Sequence, residues 1–208
     1  MNLFERNHVY DTYNQIADHF SNTRHYVWPN IKKYIDSIKP NSLIADIGCG
    51  NGKNMYRDDC TMIGVDFCEE FVSLCQSKGK NVIQGNCLKI PLESNCYDFV
   101  LNIAVLHHLS SKERRIEAIN ELIRIVKPNG KLLIQVWGFE SKRSETQDAM
   151  IEWNLNKKFN KEKKVVKINR YYYLFKDDEL KNIIPLEKVK ILNYYNSHNN
   201  WVIELEKK

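Results

Sequence analysis

Along the chain, Val9, Tyr13, Ile16 and Phe20 recur at helical spacing, and a second amphipathic stretch runs from Pro29 to Ile38, opening with proline and stopping before Pro40. Two helices are therefore predicted ahead of the core. The pattern then shortens. Leu43 to Ile47 is an apolar run that ends in Gly48-Cys49-Gly50-Asn51-Gly52, Thr61 to Val65 is a second run that ends at Asp66, and Asn81 to Gln84 is a third. Tyr97 to Ala104 is nearly all apolar, as a parallel strand covered on both faces should be. Between these runs, a helix is predicted from about Glu69 to Ser77. Another starts at the capping box Ser110-Ser111-Lys112-Glu113, buries Ile116, Ile119, Leu122, Ile123 and Val126, and is ended by Pro128-Asn129-Gly130. Lys131 to Trp137 gives the fifth strand.

Strand alternating with helix predicts an α/β fold, a Rossmann-like, doubly wound and mostly parallel sheet. Beyond it come a short apolar run, Tyr171 to Phe175, and an acidic helix start at Asp177-Asp178-Glu179. Val189 to Tyr195 and Trp201 to Leu205 flank the polar turn Asn196 to Asn200, which predicts an antiparallel C-terminal hairpin and brings the sheet to seven strands. The third strand should lie at one edge, a place that invites strand addition by a partner. A chain of 208 residues suffices for one core and hardly for two. Residues 1–208 are thus read as one domain, with helices in 1–40 covering the site and a basic insertion at 138–170.

Composition narrows the class. With 43% apolar residues, eleven Tyr, eight Phe and four Trp against eight Gly and five Pro, the chain is no disordered or low-complexity protein. No run approaches the roughly 20 apolar residues of a membrane span, and Met1 to Tyr10 carries charges where a signal peptide would be apolar, so a cytoplasmic protein, with the nucleus possible, is expected. Cys49, Cys60, Cys68, Cys75, Cys87 and Cys96 include no CxxC pair, which predicts free thiols and no metal site. Between Asn154 and Arg170 the chain carries Lys157, Lys158, Lys161, Lys163, Lys164, Lys167 and Arg170 against one acid, Glu162. That segment is a candidate contact for a polyanion, or a solvated face.

In a doubly wound sheet, ligands lie beyond the carboxyl ends of the strands, where Asp46-Ile47-Gly48-Cys49-Gly50-Asn51-Gly52 delivers its turn. A dinucleotide fingerprint would need glycine at 53, which is Lys53, and a pyrophosphate would be repelled by Asp46. An amino-acid-bearing nucleoside fits better: S-adenosylmethionine, its ammonium near Asp46 and its ribose diol on Asp66.

Together with Gly64-Val65-Asp66, Gly85-Asn86-Cys87-Leu88, Tyr97-Asp98-Phe99-Val100 and Lys127-Pro128-Asn129-Gly130-Lys131, the glycine motif resembles the class I S-adenosylmethionine-dependent methyltransferases. The resemblance implies a cofactor site formed by Tyr13, Asp46, Gly48, Gly50, Asp66, Phe67, Asn86, Cys87, Leu88 and Ala104. Asn86 stands where that family commonly has Asp. Outside these motifs, His8 to Arg24 with Trp28-Pro29, Ala104 to His108 with Arg114-Arg115, Val136-Trp137, Arg170 to Phe175 and Asn199-Asn200-Trp201 resemble the eukaryotic tRNA wobble-uridine carboxymethyl methyltransferases. Here the insertion before Arg170 is short, Tyr173 stands where His is common, Gly138-Phe139-Glu140 follows the tryptophan, and Asn199 replaces Gly.

That family methylates the carboxylate of 5-carboxymethyluridine, or its 2-thio form, on tRNA, with a small zinc-binding activator protein as partner. The residues suit an ionised acceptor, which needs alignment and no general base. Arg24 and Arg170 are expected to hold the anion, His107 to donate to the substrate, and Trp137 and Tyr171 to wall the pocket or stack on the base. A small-molecule methyltransferase of quinone or sterol type and a non-catalytic relative are the alternatives.

Overall fold

Seven strands form one sheet in the order β3-β2-β1-β4-β5-β9-β8 in a computed structural model that describes residues 2–155 and 166–208. Strands β1 (Leu43–Ile47), β2 (Thr61–Asp66), β3 (Val82–Gln84), β4 (Tyr97–Ile103) and β5 (Val126–Trp137) pair in parallel. Strand β9 (Asn200–Lys207) runs antiparallel to β5 and to β8 (Val189–Ser197). The expected α/β sheet with its antiparallel C-terminal hairpin is present, and β3 lies at the edge.

Period-two alternation assigns the two faces. Ile44, Leu101, Ile103, Leu133 and Val202 pack under Ile31, Ile35 and Ile38 of α3 (Pro29–Asp36) and its exit. Ala45, Ile47, Val100, Leu132, Ile134 and Ile203 pack under Ala118, Ile119, Leu122 and Ile123 of α5 (Lys112–Ile125). The Ser111 side chain caps α5 by accepting from Arg114 N. Helix α4 (Glu69–Ser77) falls where its periodicity placed it.

Four expectations need correction. Helix begins at Leu3, and α1 (Leu3–Glu5) passes through a π-helical turn at Arg6–Tyr10 into α2 (Asp11–Thr23). Strand β5 starts at Val126 because Val126 pairs with Tyr97 before Pro128 to Gly130 bulge out and pairing resumes at Phe99–Lys131. The acidic stretch at 177–179 starts no α-helix: Asp178 sits at φ 62°, and only a 3₁₀ turn, Lys181–Ile183, precedes Pro185. Finally, the insertion contains a strand that went unread. β6 (Asp148–Leu155) pairs antiparallel with β7 (Val166–Tyr173), setting Ala149 opposite Tyr172, Ile151 opposite Arg170 and Trp153 opposite Ile168. Lys157, Lys158, Lys161, Lys163 and Lys164 lie outside the described residues, whereas Lys167 sits on β7 and pairs with Glu152 at 3.1 Å.

The ribbon of β6 and β7 packs Trp153, Leu155 and Ile168 against Ile16 and Tyr13 of α2, while Ala17 on the same helix meets Cys68 and Phe71 of the β2–α4 region. Gly138 N–H donates to Asn199 O, and Phe175 N–H to Trp137 O, so the end of β5, the exit of the ribbon and the β8–β9 turn meet at the carboxyl ends of the strands. That turn is the two-residue loop His198-Asn199, with φ 51° and 59°. Both positions favour glycine in such a type I′ turn. Asn199→Gly should therefore stabilise the protein by about 0.5–1 kcal/mol, raising Tm by roughly 1–4 °C in a calorimetric scan.

Candidate active site

A pocket opens above the carboxyl ends of β1, β2, β4 and β5, roofed by Val9, Tyr10 and Tyr13 from the N-terminal helices. Strand β1 delivers its glycine turn to the floor. Gly48, at φ 78°, lies so close to Val105 that an added Cβ would come within 2.2 Å of it, and at Gly50, φ 53°, an added Cβ would meet nothing within 4 Å. The turn is held from below, since Gly48 N–H and Cys49 N–H both donate to Val65 O.

Asp66 at the end of β2 joins the turns. Its Oδ2 accepts from Gly50 N at 2.7 Å and its Oδ1 from Cys68 N at 2.9 Å. Each oxygen keeps a lone pair, which suits a ribose diol. Burial pushes its pKa up to about 6, against the lowering effect of those backbone N–H groups. Phe67, Cys87, Asn86 and Ala104 line the same pocket, Ala104 at φ 63°. Asn86 Oδ1 accepts from Leu88 N at 2.9 Å, so the residue at the usual acid position closes its own loop with its carbonyl.

Two expected cofactor residues stand back from the pocket. Leu88 is not among its lining residues; its backbone N–H closes the Asn86 loop and its side chain packs on the core. Asp46 is also absent from the lining, being in β1 and fully buried on the face that Ile44 shares. It receives Asn54 Nδ2 on Oδ2 at 3.4 Å, and its Oδ1 has no hydrogen-bond partner among the described residues. Asn54, which sequence reading missed, lines the pocket with its own Oδ1 unpartnered. An ammonium group fits this buried pair of acceptors. Burial raises the Asp46 pKa to about 7, with the Asn54 bond opposing.

The opposite side of the pocket is built from β7, β5 and the turn after β4. Arg170 is 4% exposed and lines the pocket. Its Nη1 donates to Tyr13 Oη at 3.1 Å, its guanidinium lies 4.6 Å from the Trp153 ring, and its Nε has no partner. Among the described residues, no carboxylate pairs with it. Arg24 also lines the pocket and lies 5.1 Å from the same indole, but it is exposed. Trp137 lines the pocket, stacked on Tyr172 at 4.3 Å and 12°.

Tyr171 departs from expectation. Successive strand residues point to opposite faces, so Arg170 and Tyr171 cannot both face the pocket. Tyr171 is absent from the lining, packs against Phe4 and donates its hydroxyl to Asp148; Tyr172, in phase with Arg170, takes the pocket face.

His107 is 1% exposed, and its Nδ1 accepts Trp137 N–H at 3.1 Å, which assigns the proton to Nε2. Burial, followed by the charges of His108 and Arg170, holds its pKa well below the usual value. It is a neutral donor at physiological pH. Glu5, another residue missed from sequence, lines the pocket edge and fixes α1 by accepting from Arg114 Nη2 at 2.6 Å and Ser110 N at 2.7 Å.

Two predictions test the cofactor side. Asp66→Ala should cost on the order of 2–3 kcal/mol of S-adenosylmethionine binding by calorimetry, and Gly48→Ala should be as damaging through the collision with Val105. Because the folded Asp46 binds its proton more tightly than the unfolded chain does, its contribution is full below about pH 4 and is lost as the pH rises through 7. Without cofactor, Asp46→Asn should therefore gain on the wild type between those limits, by up to about 4 kcal/mol in urea unfolding. A stability difference independent of pH would disprove the buried charge.

Residues 45–134 match the methyltransferase-domain family model Methyltransf_11. The chain is 34% identical, over 98% of its own length and 98% of the relative's, to the tRNA (carboxymethyluridine(34)-5-O)-methyltransferase of Schizosaccharomyces pombe. It is 31% identical over 98% of its length to the tRNA (carboxymethyluridine(34)-5-O)-methyltransferase alkbh8 of Xenopus tropicalis, of which it spans 41%. Among solved structures, the CcbJ methyltransferase of Streptomyces caelestis superposes with a TM-score of 0.75 at 12% identity, over 94% of this chain and 97% of that one. The methyltransferase bound to the Trm112 activator of Haloferax volcanii superposes with 0.68 at 13% identity, over 96% and 97%. With the glycine turn, the Asp66 carboxylate and full-length similarity in agreement, the chain belongs to the class I S-adenosylmethionine-dependent methyltransferases, in the family that includes the fission-yeast tRNA enzyme.

Proposed function

We propose that this methyltransferase esterifies the carboxylate of 5-carboxymethyluridine, or its 2-thio form, at the wobble position of a tRNA anticodon. The observation that carries the reading is Arg170, a guanidinium 4% exposed on the pocket wall, surrounded by phenol oxygens and aromatic faces, with no acid beside it among the described residues. A buried cation without a counter-charge is costly, and an anionic acceptor supplies the missing partner. The names of the fission-yeast and frog relatives support a tRNA acceptor.

Bound S-adenosylmethionine supplies an electrophilic methyl group. The protein's part is to hold its acceptor in line and dry. Arg170 orients the carboxylate, Arg24 stands at the exposed side of the same pocket, and the stacked Trp137 and Tyr172 offer an aromatic wall to the uracil. Neutral His107 donates through Nε2 and has no proton to collect, because the acceptor is already ionised. We also assign a zinc-binding activator protein to the β3 edge, a reading supported by the Haloferax neighbour, which was solved with its Trm112 activator.

Single-turnover methylation at saturating cofactor should require the carboxymethyl group on the tRNA and should stay flat from about pH 6 to 8, since the acceptor titrates near 4 and His107 well below its ordinary value. A steep rise through pH 6.5 that His107→Gln abolishes would overturn the base-free route. Arg170→Lys keeps charge without the planar fork and should lower the rate about 10- to 100-fold while leaving tRNA affinity within a few-fold.

A further inference from the structure

His108, next to the neutral donor His107, belongs to a hydrogen-bond chain whose direction can be worked out. Its Nδ1 lies 2.8 Å from Tyr171 O, and a carbonyl only accepts, so Nδ1 carries the proton. Its Nε2, 3.0 Å from Tyr13 Oη, must then accept the Tyr13 hydroxyl proton. With its own proton committed, the Tyr13 oxygen is left as an acceptor for Arg170 Nη1 at 3.1 Å and for Tyr172 Oη, also at 3.1 Å. The two adjacent histidines therefore hold opposite tautomers, each fixed by a backbone group: Trp137 N–H for His107 and Tyr171 C=O for His108.

We propose that His108 is a positioning residue for the acceptor: by taking the Tyr13 proton it makes the Tyr13 oxygen a double acceptor, which fixes the Arg170 guanidinium and the Tyr172 ring in the attitude that receives the anion. The inference rests on the reading of Arg170 as the anion-holding residue. Were His108 the other tautomer, its Nδ1 lone pair would face a carbonyl, and the Tyr13 hydroxyl would have to accept from Nε2 and compete with Arg170 for its remaining lone pair. Burial, with a smaller effect from the Arg170 charge, lowers the His108 pKa to about 3, against the raising effect of the Tyr171 bond, and keeps the ring neutral throughout the working range.

The chemistry of the two ring nitrogens provides the test. In His108→Asn the side-chain amide can replace Nδ1–H but reaches no further; in His108→Gln the side-chain oxygen reaches the Nε2 position and can accept from Tyr13. Single-turnover methylation of carboxymethylated tRNA by the full chain should fall about 10- to 30-fold in His108→Asn, largely recover in His108→Gln, and fall like Asn in the isosteric Tyr13→Phe. Binding of S-adenosylhomocysteine by His108→Asn, measured by calorimetry, should stay within about three-fold of the wild type. Because His108 acts through Tyr13 on Arg170, adding His108→Asn to Tyr13→Phe or to Arg170→Lys should cost less than about three-fold more.

Equal losses in Asn and Gln, additive losses in the double variants, or a matching loss of S-adenosylhomocysteine affinity would overturn the positioning role. If the wild type leaves carboxymethylated tRNA untouched and methylates another anionic acceptor, the proposed substrate fails, and the same cycle read on that acceptor decides the role of His108. Activity on tRNA with additive losses leaves the substrate standing and removes His108.

Discussion

Both oxygens of the Asp66 carboxylate accept a backbone N–H, one from the glycine turn after β1 and one from the entry to α4, and the pocket takes its shape from that pair of bonds. Without them the Gly50 amide would have no fixed partner and the two turns would be free to separate. The same carboxylate retains lone pairs that suit a ribose diol, so a single side chain that closes the protein is also free to accept from a ligand. The cost is a charge brought out of water, which is why its pKa rises even while two N–H groups hold it down.

The opposite wall follows another logic. Among the described residues no acid pairs with Arg170, and its surroundings are the faces of Trp153, Tyr172 and Tyr13. Quadrupoles stabilise a cation weakly compared with a carboxylate, so the guanidinium keeps most of its capacity for an anion. Helix α2 connects the two walls: Tyr13 touches Arg170, while Ala17, one turn on, packs by Cys68, the residue whose N–H Asp66 holds. The two walls of the pocket are therefore braced by one helix.

Much of this was legible before any coordinates. The runs at Leu43–Ile47, Thr61–Val65 and Tyr97–Ala104 announce strands because parallel strands buried on both faces are mostly apolar, with few polar positions such as Asp46 and Asn102 to disguise them, and Glu69–Ser77 shows a plain 3.6 period. Strand β6 was not legible although Ala149, Ile151, Trp153 and Leu155 alternate cleanly, because it pairs only with β7 and stands outside the strand–helix alternation that marks the main sheet. Of the pocket-lining residues, Asp66 and Gly48 were readable from the strand-end motifs and Arg170 from the family resemblance. Asn54, Glu5 and the tautomer of His108 were not, because each depends on a partner distant in sequence: Asp46, Arg114 and Tyr171 respectively. Alternation along a strand by itself puts Arg170 and Tyr172 on one face and Tyr171 on the other.

The pairing of β6 with β7 also limits how the chain can vary in length. Arg170 and Tyr172 reach the pocket only because they share a phase, and Tyr171 supplies its carbonyl to His108 from the opposite phase. One residue inserted or deleted between Ile168 and Arg170, with pairing to β6 kept, would exchange the two faces up to the change and leave Trp153 opposite the wrong partner. Insertions outside the paired residues carry no such penalty. In this chain, length can therefore change around the ribbon while Arg170 and Tyr172 stay on the pocket face, provided the eight paired residues of each strand keep their count.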